Sequence, residues 1–147
     1  MPHKLVVAKR LSQCLNPALP TGVHARALDV YTHIFTVLGV DGLRRDLPVW
    51  TPGLLPFFAH AATSVRPVVL DMYERFYVPL SDDLRPVTRA LLLSLLPGLE
   101  EESGEYFDRV VALLDRISAS VTIPFFLQCI WICLLYTSDA ADDMQCV

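Results

Sequence analysis

Hydrophobic positions recur at helical spacing from one end of this chain to the other. Between Lys4 and Leu15, the residues Val7, Leu11 and Cys14 fall at i, i+4 and i+7. From Val23 to Leu38 a stripe of Leu28, Tyr31, Phe35 and Leu38 predicts a second helix, with Gly39 placed as its left-handed terminal residue. Ser64 to Val78 carries Val69, Met72, Tyr73 and Phe76, and Pro79 is expected to stop it. A further helix opens at Asp82 or Asp83, with Pro86 near its start and Leu91, Leu92, Leu95 and Leu96 inside. The cleanest stripe is Phe107, Val110, Leu114, Ile117 and Val121, opposite Asp108, Arg109, Asp115 and Arg116. Ser103 is its expected cap, and Glu105 suits its first turn. Pro124 opens a last apolar helix through Trp131. No strong alternating strand pattern is present.

The 11 prolines sit mostly between these stretches and act as punctuation. Pro48 and Pro52 flank Trp50, so Gly42 to Pro52 is expected to be irregular. Thr51 then caps a helix with Pro52 at its first position, running to about Ala62. Helical pairs begin near Lys4, Pro52, Asp83 and Pro124, at spacings of 48, 31 and 41 residues. Their mean lies near the roughly 40-residue period of HEAT and armadillo repeats. The expected fold is all-α, an α-solenoid (HEAT/armadillo-like) segment of about seven helices in antiparallel pairs, with an apolar last pair that suits an uncapped end.

Composition fits a folded chain, 53% hydrophobic and 19% charged. The net charge of −4 excludes a generally basic nucleic-acid binder. Charge is unevenly spread: Met1 to Arg45 carries six bases and two acids, whereas Glu100 to Arg116 carries six acids and two bases. Lys4, Lys9, Arg10, Arg44 and Arg45 are therefore candidate lipid-binding residues, each worth about 1 kcal/mol near an anionic leaflet. The same charges also suit a plain solvated face. Trp50 is a candidate partner-binding aromatic, or a packed loop anchor.

Nothing in the sequence points to catalysis. Nucleotide, metalloprotease and hydrolase motifs are absent, and Glu100, Glu101 and Glu102 point apart on any helix. The four cysteines form no CxxC pair and no ligand spacing with His24, His33 or His60. No catalytic residue, metal site or cofactor is expected. The start MPHKLVVAKRLSQ lacks a secretory pattern, so a cytosolic chain with reduced cysteines is expected. The apolar run Val121 to Tyr136 has 16 residues, short of the roughly 20 that span a bilayer.

The segment Cys133 to Asp143, CLLYTSDAADD, resembles one translated frame of a transposon adapter used in sequencing libraries. The native frame is expected to end near Cys133, leaving 1–132 as a partial domain and 133–147 as a non-native, disordered tail.

Four blocks together resemble the N-terminal domain of the Dopey family: AKRLSQCLNPALPTGVHARALDVY, DLPVWTPGLLP, LLPGLEE followed by EYFDR, and FFLQCIWIC. The resemblance implies an all-helical, solenoid-like region of a far longer, non-enzymatic protein of Golgi–endosome vesicle transport. It implies a location in the cytosol and peripherally on Golgi, trans-Golgi and endosome membranes. The partners it implies are a large scaffold related to Arf exchange factors, a lipid flippase, phosphoinositide membrane and a microtubule motor. A small peripheral module binding anionic phospholipid is the alternative expectation.

Overall fold

The computed structural model describes residues 3–100, 104 and 106–146, with side chains to 135. Seven α-helices follow one another: α1 Lys4–Cys14, α2 Thr21–Arg45, α3 Leu47–Leu54, α4 Arg66–Met72, α5 Thr88–Leu95, α6 Phe107–Ser120 and α7 Ile123–Cys146. Tighter or wider turns prolong several of them: 3-10 segments at Leu55–His60, Val78–Val87 and Leu96–Leu99, and a π-turn at Tyr73–Tyr77. Among the described residues there is no strand. The all-helical expectation is met.

The predicted stripes form the core. Leu28, Tyr31 and Phe35 of α2 are buried, as are Val110 and Ile117 of α6 and Val121 just beyond it. Burial of each such side chain stabilises the fold by roughly 1.5–3 kcal/mol. Phe35 packs edge to face on Phe76 and Tyr77, with ring centres 5.4 Å and 6.1 Å apart, and lies tilted against Tyr31.

Helices two apart in sequence meet in space. Helix α1 packs on α3, the Leu55–His60 turn that prolongs α3 packs on α5, and α5 packs on α7. Across the chain, α2 meets α4, and Arg109 of α6 reaches Asp71 of α4 at 2.6 Å. The α1–α3 contact depends on Gly53, because a Cβ there would run into the Cβ and Cα of Ser12.

Several expected boundaries move. Gly39 has φ 69° and ψ −176°, a conformation essentially reserved for glycine; the helical backbone breaks there, where an end was expected, and resumes to Arg45. Gly42 to Pro52 is largely helical, because Pro48 falls at the start of α3 where no amide donor is needed. Thr51 lies inside α3 and makes no cap. Pro79 does not end its segment; the chain turns two residues later at Ser81, φ 53°. Neither Asp82 nor Asp83 caps a helix: Asp82 accepts a hydrogen bond from Arg85 Nε at 2.6 Å, and Asp83 pairs with Arg44. The expected cap Ser103 and first-turn Glu105 lie outside the described residues. Helix α7 passes Trp131 and Cys133 without a backbone break.

Candidate functional site

A groove of ≈ 580 Å³ opens between α3 and the Val78–Val87/α5 segment. Pro48, Pro52 and Pro56 line one wall with Leu47 and Leu55; Pro86, Val87 and Ala90 line the other. The three prolines stand four residues apart, so a helical backbone stacks them on one face. Each also removes an amide donor. The carbonyls of Pro48 and Pro52 therefore lack their i+4 partners, and the helix tightens into a 3-10 turn from Leu55.

Charge gathers at one end. Arg44 donates from Nη1 to Asp41 Oδ1 at 2.9 Å and pairs through Nε with Asp83 Oδ2 at 2.6 Å, tying α2 to the opposite wall. Arg45 also lines the groove, is exposed, and makes no ion pair among the described residues. The arrangement offers apolar walls, one engaged and one unengaged guanidinium, and a carboxylate. That is a set for binding an amphipathic group, with few placed polar atoms giving orientation.

Of the five cations singled out by charge, only Arg44 and Arg45 meet at this groove. Lys4 is held by Asp46 at 2.8 Å, at the α2–α3 corner. Lys9 and Arg10 are exposed on α1 and take no part in the groove lining. Trp50 is 1% exposed and packs in the core; its Nε1 is buried with no hydrogen-bond partner. The other tryptophan, Trp131, is 63% exposed.

Beneath the groove lies a polar layer that the sequence reading missed. Thr51 Oγ1 lies 3.2 Å from the Tyr77 hydroxyl, and Tyr73 donates to the Leu55 carbonyl at 3.1 Å. Ser94 donates to the Leu91 carbonyl at 2.8 Å and lies 3.4 Å from the Tyr73 hydroxyl. Burial pushes the Tyr73 and Tyr77 phenols far above the usual tyrosine range, against the smaller pull of the Ser94 and Thr51 hydrogen bonds. Tyr31 is pushed up to about 12 by burial, with Cys14 adding to the effect. The i, i+4 spacing of Tyr73 and Tyr77 was the available signal, since it puts both phenols on one helical face.

His24 is structural: its Nε2 lies 2.7 Å from the Asn16 carbonyl, and its ring packs edge-on against Phe57 at 4.9 Å. His33, His60 and Glu100 are exposed and separate, while Glu101 and Glu102 lie outside the described residues. Among the described residues, no group of three His, Cys, Asp or Glu is placed to hold a metal ion. No helix among them is long and apolar enough to cross a membrane.

The profile of the family described as "Dopey, N-terminal" matches residues 1–141. Mouse "Protein DOP1B" is 47% identical over 131 residues, 89% of this chain and 6% of that protein. "Protein dop1" of Emericella nidulans is 48% identical over 118 residues, 80% of this chain and 6% of its own length. "Protein DOP1" of Saccharomyces cerevisiae is 35% identical over 122 residues, 82% of this chain and 7% of its length. No solved structure matches.

Proposed function

This chain belongs to the Dopey family, and we propose that it is a helical-repeat segment of a large, non-enzymatic scaffold in Golgi–endosome vesicle transport. Its surfaces bind; they do not react. In this reading the segment is part of an α-solenoid, cytosolic and peripheral on Golgi and endosome membranes. Its partners are a scaffold related to Arf exchange factors, a lipid flippase, phosphoinositide membrane and a microtubule motor. The observation that carries the reading is the packing order α1 on α3, the Leu55–His60 turn that prolongs α3 on α5, and α5 on α7. Such one-dimensional stacking is how repeat proteins build extended binding surfaces. Deleting the matched region from the mouse relative, and following a protein that cycles between Golgi and endosomes, tests it. Redistribution of the cycling protein is expected; an unchanged distribution overturns the role.

Arg45 favours a second reading, a peripheral module for anionic phospholipid. Among the described residues its guanidinium makes no ion pair, and it stands beside an apolar groove, suited to a charged headgroup with its chain against the prolines. Against it, Lys4 and Arg44 already hold carboxylates. Sedimentation with vesicles containing anionic lipid, compared with neutral vesicles, separates the two. Loss of sedimentation on Arg45→Glu supports lipid binding, whereas indifference to anionic lipid removes it.

A further inference from the structure

Helix α7 is apolar on two neighbouring faces, and only one of them is covered. Phe126, Cys129 and Cys133 are 8%, 3% and 1% exposed. They lie in the helix that packs on α5 and α6. Ile123, Leu127 and Trp131 recur at i, i+4 and i+8 and are 63%, 58% and 63% exposed, with Leu134 on the same line. At 3.6 residues per turn, Leu127 sits about 100° around the helix from Phe126. The bare stripe therefore lies to the side of the covered one.

Helix α5 shows what that side is for. It has a neighbour on each flank, the Leu55–His60 turn on one and α7 on the other. Leu91, Leu92 and Leu95 are each fully buried as a result. Among the described residues, helix α7 has the first kind of neighbour and lacks the second. Its charge argues against a membrane as the missing cover. No Lys or Arg occurs from Ile123 to Cys146, so nothing on this helix draws it to anionic headgroups.

We propose that the Ile123–Leu127–Trp131 stripe is the seat of the next helical hairpin of the longer polypeptide. Its partner is a segment with an apolar i, i+4 face, stacking on α7 as α7 stacks on α5. The proposal rests on the repeat reading above. It continues an interface already formed, and relatives of which this chain covers 6% supply ample chain to form it.

The test joins this chain at Ile132 to the roughly 40 residues, one repeat length, that follow the matched region in the mouse relative. Acrylamide quenching of Trp131 is read against buried Trp50, removed in a Trp50→Phe control. Trp131 is expected to be readily quenched in the present chain, and to lose that quenching with a blue-shifted emission in the joined one. Leu127→Ser should lower the unfolding midpoint of the joined chain and leave the present chain nearly unchanged. Equal quenching in both chains overturns the proposal, as does a joined segment that adds no helical signal. Protection of Trp131 only on added vesicles, or only at high protein concentration, overturns it in favour of a membrane or a second copy. Small-angle scattering separates the two readings. Protection of Trp131 in a globular rather than elongated joined chain leaves the seat standing and removes the solenoid.

Discussion

Helices α5 and α7 are alike in apolar sequence and opposite in their surroundings. In α5 only Leu93 among the leucines is exposed, at 38%, while Leu91, Leu92 and Leu95 are sealed. In α7, Ile123, Leu127 and Trp131 stay open to solvent. Apolar content thus shows that a helix requires cover. Which of its faces meets a neighbouring helix decides where that cover is found.

The sharpest way to break the comparison is truncation at equivalent leucines. Leu92→Ala should destabilise the chain by roughly 2–5 kcal/mol, since it leaves a cavity in a closed site. Leu127→Ala should stay within about 0.5 kcal/mol, as exposed substitutions do. Urea unfolding of both variants checks this, and equal losses would erase the distinction between the helices.

The phenols under α3 and α5 give a second contrast, in alkali. Tyr31, Tyr73 and Tyr77 all ionise later when folded than when unfolded. The unfolded chain therefore loses these protons first, at about pH 10. Their contribution is fully present below that pH and is lost as pH rises through the folded values, about 12 for Tyr31. Stability followed by denaturant midpoint should fall steeply above pH 10, with these three showing no phenolate absorbance at 295 nm until the chain opens.

Smaller effects test individual joints. Gly53→Ala should cost about 1–3 kcal/mol by forcing α1 and α3 apart, visible as a lower melting temperature. Tyr73→Phe should cost about 1 kcal/mol, leaving the Leu55 carbonyl without its donor. Arg109→Ala, which removes a half-exposed pair with Asp71 and Glu74, should cost under about 1 kcal/mol and less still in high salt. A larger loss there would show that the α4–α6 joint matters as much as the α3–α5 one.

Much of this architecture was legible because helical period survives in a sequence. The stripes at Leu28–Tyr31–Phe35 and Val110–Ile117–Val121 required no tertiary knowledge. The α3 region was not legible, since Pro48 and Pro52 look like breaks until one sees Pro48 at a helix start. For the same reason the groove was half seen. Charge pointed to Arg44 and Arg45, but its proline wall had been read as punctuation. Lys4, Lys9 and Arg10 share a sign with them and no place in the groove lining, because net charge carries no information about which faces meet. Trp50, read as either a packed anchor or a partner-binding aromatic, is taken whole by the core.

Gly39 carries a consequence of another kind. Its backbone angles are open to no residue with a side chain. The exposed residues beside it, Val37 and Val40, have no such restriction. Over evolutionary time the elbow of α2 should therefore be a point where the protein cannot drift. Substitutions should accumulate on either side of it, and lineages that lose this glycine should be ones in which the whole helix has been rerouted.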